Sequence, residues 1–250
     1  MTAFALKLTA MISMVIDHAG LGLFENNLMM RSIGRLAFIL YAFLLAESFY
    51  HLRNKPDRLK SHLIKLLILC VITEIPYNLY EYNAWTYAAR QNVMFTLTLG
   101  FLALIVSDRL IRRAGLIPCI VVCLLAALAG YYIRSSYRFA GVLLIVFFYL
   151  YLQKADHMNL WQKLGVLVLL FGVYWFLYIW AQTGFRGTAL LAARWNGQRR
   201  YLPGTLAAII PIVLYNRKLG YHSRWFQILY SGFYPLQFLA LMLVRRVMEA

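Results

Sequence analysis

The chain has 250 residues, 62% of them hydrophobic and 14% charged, with a formal net charge of +16. This balance excludes an ordinary soluble domain, in which charged residues make up about a quarter of the chain. The basic residues gather in short connections between apolar runs, so they read as orientation signals in a membrane protein, and no nucleic-acid partner is expected.

Apolar runs occupy residues 4–24, 33–51, 63–80, 92–107, 116–133, 139–152, 164–182, 204–215 and 225–244. Most approach the roughly 20 residues that a helix needs to cross the hydrocarbon. Their apolarity is continuous rather than alternating, which selects helices over a barrel. The expected fold is all-α and polytopic, with about 8–10 transmembrane helices in one integral-membrane domain over residues 1–250. The first run carries Lys7, Asp17 and His18 and is followed by no small-residue cleavage site. It therefore reads as a retained helix rather than a signal peptide.

Arg53, Lys55, Arg58, Lys60 and Lys65 make the second connection basic, and Arg109, Arg112 and Arg113 do the same for the fourth. The positive-inside rule puts both in the cytoplasm, and the N-terminus with them. Arg186, Arg194, Arg199 and Arg200 break the pattern further on. The stretches 187–193 and 204–215 are short and interrupted by Pro203 and Pro211, so the region near 184–215 is expected to be re-entrant. An outer basic loop that attracts lipid headgroups or an anionic acceptor is the alternative. Cys70, Cys119 and Cys123 all lie in apolar runs and imply packing rather than disulfides or a metal site.

Ionisable groups at membrane depth are costly and point to function. Of nine acidic residues, Asp17, Glu47 and Glu74 lie inside expected helices. Lys7 and His18 share a helix face, separated by about 16 Å along the axis. Lys7 and Glu47 fall at the inner level, where they are expected to pair. Asp17, His18, Arg35, Glu74, Asn78, Gln91 and Asn92 fall at the outer level, with Tyr234 and Gln237 joining them from the last helix. Asp17 is expected to hold Arg35, and Asn92 reads equally as a helix cap.

The segments Ala5–Lys7 through Asp17-His18, Gly34-Arg35 with Ala37-Phe38 and Phe43 to Glu47, and Gln91-Asn92 through Phe95-Thr96-Leu97 resemble those of TraX-like membrane proteins. Later blocks at Gly141-Val142, Tyr215-Asn216 with Gly220, and Phe233-Tyr234-Pro235-Leu236 extend the resemblance over nearly the whole chain. The resemblance implies a bacterial cytoplasmic (inner) membrane location and a role like that of TraX in pilin acetylation. It also implies kinship with larger membrane acyltransferases that O-acetylate surface sugars, which share the basic residue and histidine matched by Lys7 and His18. Four positions depart from the family pattern. Ile39 stands where Pro is common and Ser48 where Gly is common. Ser136-Tyr137-Arg138 stands for an Asp-Tyr-Gly, and Gln237 for a His.

The expected function is acyl transfer from cytosolic acetyl-CoA to a hydroxyl or amine on a surface glycan or pilin-like acceptor. His18 would serve as general base, since imidazole titrates near neutrality. Arg35 would stabilise an oxyanion or bind the acceptor, with Asn92 as a second donor, and Lys7 would meet the phosphates of CoA. Two alternatives compete. A proton-coupled transporter or flippase would use Asp17, His18 and Glu74 as a relay. A non-catalytic assembly partner would fit the departures at Ser136 and Gln237.

Overall fold

A computed structural model describes residues 1–184 and 187–249. The expectation at Arg186 lies outside the described residues, as does the side chain of Arg112. The helices are α1 (Ala3–Gly22), α2 (Leu28–Leu52), α3 (Pro56–Tyr82), α4 (Val93–Ala114), α5 (Leu116–Tyr132), α6 (Arg138–Lys154), α7 (Leu160–Gln182), α8 (Thr188–Gln198), α9 (Leu202–Ala207), α10 (Ile209–Val213) and α11 (Arg224–Glu249). Among the described residues, seven helices are long and apolar enough to cross a membrane: α1 to α4, α6, α7 and α11. α5 is a shorter apolar helix of 17 residues. The chain is a multi-pass helical membrane protein, as its composition required.

Two compact units divide the chain, one made of residues 1–44, 71–87 and 198–250, the other of 45–70 and 88–197. In the second unit, α4, α5 and α6 pack on one another and α7 packs on α6. Phe49, Phe101, Phe148 and Phe171 fill its interior. Asn92 caps α4 by accepting from the Met94 amide at 2.8 Å, and its own amide donates to the Cys70 carbonyl at 3.0 Å. Arg53 donates to the Tyr149 hydroxyl at 3.2 Å. That bond raises the guanidinium pKa above its ordinary value. Arg138 opens α6 at a φ of +48°, a left-handed conformation that glycine adopts most readily. Its guanidinium lies over the Tyr131 ring and donates to the Ala181 carbonyl.

The first unit begins with a helix whose hydroxyls are satisfied locally. The Thr2 side chain caps α1, while Thr9 and Ser13 bond back to the carbonyls of Ala5 and Thr9. Lys7, Asp17 and His18 therefore carry the tertiary polar contacts of this helix. The turn after α1 uses Glu25 and Asn26 at positive φ, and the Asn27 carboxamide accepts from the amides of Met29 and Met30 to start α2. α1 and α2 then approach closely through glycines. A Cβ on Gly20 would strike Met30, and one on Gly34 would strike the Asp17 side chain.

The interruption expected near 184–215 is present. α8 has no buried residue, and α9 and α10 are only six and five residues long. The course of the second half sets up the site. Tyr201 lies against Arg35, Gly204 against the Ser32 carbonyl, and Tyr215 against Phe43, so the segment follows α2 along its length. It ends beside the N-terminus, where Ala3 and Phe4 donate to the carbonyls of Lys218 and Leu219, and Asn216 donates to that of Met1. Gly220, at a φ of +73°, passes so close to Thr2 that a side chain would collide with it. This path returns the chain to the level of Met1 before α11 begins, and α11 then runs parallel to α1.

Asp17 and Arg31 form an ion pair of 2.9 Å with side chains 14% and 10% exposed, and the same guanidinium donates to the Asp17 carbonyl. Breaking such a pair from one side leaves an uncompensated charge, at a cost of about 3–5 kcal/mol. Arg31→Met alone is expected to lower the thermal midpoint in detergent sharply, while Asp17→Asn with Arg31→Met recovers most of the loss. A double variant no better than the single one would contradict the pairing. Gly34→Leu should cost about 1–3 kcal/mol by overpacking. Gly165→Ala, at an open position, should leave the midpoint unchanged.

Candidate functional site

Four helices of the first unit close around His18, which is 9% exposed. From α11, the Phe238 ring lies 4.6 Å from the imidazole and the Tyr234 ring 6.2 Å away. From α3, the Tyr80 hydroxyl donates to the His18 carbonyl at 2.7 Å. It fits there because Gly22 has no side chain to meet it. Asp17 on α1, Arg31 on α2 and Glu81 on α3 act electrostatically on the imidazole, and the Gln237 amide faces it from α11. That amide is within electrostatic reach of the ring but does not meet strict hydrogen-bond geometry.

The polar atoms here are under-satisfied to an unusual degree. His18 Nδ1, Asp17 Oδ1, Arg31 Nε, and both the oxygen and nitrogen of the Gln237 amide are buried without a hydrogen-bond partner. Asn78 Oδ1 and Thr73 Oγ1 on α3 are in the same condition. A buried polar atom left unmatched costs about 1–3 kcal/mol, so such atoms are few in a stable fold. These seven atoms lie in the unit that holds the His18 imidazole. Two prolines add unmatched acceptors. Pro76 in α3 and Pro235 in α11 carry no N–H, which removes the intrahelical donors for the carbonyls of Ile72 and Ser231.

Eleven residues toward the N-terminus on the same face, Lys7 donates to Gln227 Oε1 at 3.3 Å and lies 4.8 Å from the Tyr230 ring centroid. Tyr230 in turn stacks on Tyr41 at 5.9 Å. α11 therefore meets α1 twice in one register, since Gln227 precedes Phe238 by the interval that separates Lys7 from His18. The two contacts are about 16 Å apart along parallel axes.

The structure redistributes the expected residues. His18, Asp17, Tyr234 and Gln237 come together. Asp17 takes Arg31 as its partner in place of the expected Arg35, because the tight turn after α1 sets the first turn of α2 against Asp17. Arg35, one turn further on, has its guanidinium 5.0 Å from the Tyr201 ring centroid. Glu74 accepts from the Asn78 amide at 3.2 Å. Glu47 lies 3.1 Å from His51, one turn along α2. Gln91 and Asn92 belong to the second unit, where the Gln91 carbonyl accepts from Ser136 at 2.8 Å and Asn92 is a helix cap.

Arg31, Tyr80, Glu81 and Phe238 were not anticipated. Glu81 had a signal in the sequence, because Glu74, Asn78 and Glu81 fall at i, i+4 and i+7 on one face of α3. Tyr80 had none, since it binds a backbone carbonyl.

Comparison with known proteins gives this geometry a context. A family model described as TraX protein matches residues 3–245. A curated relative, "Probable fimbrial assembly protein FimC, serogroup H1" of Dichelobacter nodosus, is 32% identical over 122 residues. The match covers 42% of this chain and 46% of that relative's length. No solved structure matches. With the family model covering α1 through almost all of α11, the chain belongs to the TraX protein family.

Proposed function

We propose that this TraX-family chain is a bacterial inner-membrane acyltransferase of fimbrial or surface assembly, with its N-terminus in the cytoplasm. One observation carries the reading: a buried imidazole with an unpartnered ring nitrogen faces a buried, unpartnered amide. A general base and an oxyanion donor need this juxtaposition. The assembly role takes support from the family and from the fimbrial assembly relative. The basic connections around Arg53–Lys65 and Arg109–Arg113 support the orientation.

The donor is cytosolic acetyl-CoA, entering from the end of α1 that carries Lys7, where the ammonium suits its phosphates. The pantetheine arm then extends toward His18. The acceptor is a hydroxyl or amine of a surface glycan or a pilin-like protein. His18 takes the acceptor proton as the acceptor oxygen or nitrogen attacks the thioester carbonyl. The Gln237 amide nitrogen donates to the oxyanion. The C–S bond then breaks, and the CoA thiolate leaves as a thiol by recovering the proton from His18. Asp17, fixed by Arg31, favours the imidazolium that forms between the two proton transfers. Arg35, stacked on Tyr201, supplies a cation for an anionic acceptor.

Purified protein in liposomes, given acetyl-CoA and acceptor-containing cell envelope extract, is expected to release free thiol. His18→Ala should lower that rate by about 10²-fold or more, with the thermal midpoint retained. Lys7→Ala should weaken acetyl-CoA binding. Wild-type protein that neither binds acetyl-CoA nor releases thiol would overturn the reading in favour of a non-catalytic assembly partner.

A further inference from the structure

The acyl chain length is the next property that the surroundings of His18 determine. Resting on the acyltransferase reading above, we infer that Phe238 is the wall that restricts the donor to a short acyl group.

Phe238 has no exposed surface. Its ring stands 4.6 Å from the imidazole. Three tyrosines wedge it there: Tyr234 at 5.1 Å, Tyr80 at 5.6 Å and Tyr77 at 5.7 Å between ring centroids. Each of those rings is itself fixed. Tyr80 is held by its bond to the His18 carbonyl, Tyr77 by a 3.3 Å contact with the Tyr82 hydroxyl, and Tyr234 by burial. Phe238 cannot swing aside without moving its neighbours, because close-packed interiors transmit such displacements.

The polar requirements decide where the alkyl end of the donor goes. The attacking atom must hydrogen-bond the imidazole, and the thioester carbon must lie about 3–3.5 Å from that atom. The carbonyl oxygen takes the side of the Gln237 amide, where unmet donors are available. The alkyl group is left with the apolar side, which Phe238 closes. A methyl fits against such a wall. A longer chain runs into a ring that three others hold in place.

In the transfer itself, a C–O or C–N bond forms to the acceptor, the C–S bond breaks, and the acceptor proton passes through His18 to the CoA thiolate. Phe238 takes no part in these steps. Besides the imidazole, on which its ring packs, it contacts the alkyl end of the acyl group, so its substitution is read as a ratio between acyl donors rather than as an absolute rate.

Thiol release from acetyl-, butyryl- and hexanoyl-CoA, each with the same acceptor extract, tests the inference. Wild-type protein should prefer acetyl over butyryl by at least about tenfold, the scale of discrimination that one or two methylenes provide in an apolar pocket. Phe238→Ala should bring the acetyl-to-butyryl ratio to about one. Phe238→Leu, which keeps apolar contacts and guards against a folding failure, should fall between them. An unchanged ratio in the Leu variant, or a wild type that uses butyryl as well as acetyl, overturns the assignment of Phe238 and leaves the acyltransferase reading intact. Absence of thiol release with every acyl-CoA in the wild type overturns that reading, and this inference with it.

Discussion

The broken segment through α9 and α10 is the constraint on which the rest of the first unit depends. Gly204, within α9, lets this segment pass against the Ser32 carbonyl, and the chain leaves the helix after α10 to pair with Met1, Ala3 and Phe4. Pro203 at the start of α9 and Pro211 within α10 keep these helices short. By returning the chain to the level of Met1, this segment forces α11 to run parallel to α1. The parallel register then sets Gln227 and Tyr230 on Lys7 and sets Tyr234, Gln237 and Phe238 on His18.

Close approach and charge act together at the other end of α1. Gly20, Gly22 and Gly34 let Met30, Tyr80 and Asp17 occupy space that a side chain would deny them. With the helices that close, the Asp17–Arg31 pair is largely removed from solvent, and the imidazole beside it sits among charges of both signs. The pair is not in itself a large source of stability, since desolvation offsets most of its attraction. Its consequence is positional. It ties the last turns of α1 to the first turn of α2 and keeps a carboxylate beside a base.

Much of this was legible in the sequence, and the exceptions have physical causes. The spacing of Lys7 and His18 gave their common face, because a helix fixes directions at that range. Apolar run length gave the spans and marked the broken segment as different in kind, while the shortness of α5 was not read from its run. Arg31 and Arg35 lie one turn apart on the same side of α2, so periodicity could not choose between them. The choice came from the geometry of the Glu25-Asn26 turn, which brings Arg31 against α1. Phe238 looks like any apolar residue until its neighbours are known. The departures from the family pattern became intelligible only in three dimensions. Ser136 is engaged with the Gln91 carbonyl, Arg138 adopts a conformation suited to glycine, and Gln237 faces the histidine.

The central claim is that α11 reads α1 in parallel, with Lys7 and His18 contacted at matching intervals. Paired cysteines joined by a short thiol cross-linker test it most directly, in a protein whose native cysteines are replaced by alanine. Cysteines at positions 7 and 227 should cross-link efficiently, as should those at 18 and 238, while the 7 and 237 pair should not. Efficient cross-linking of 7 to 237, with none between 7 and 227, would mean that α11 runs the other way. The account of the site would then fail.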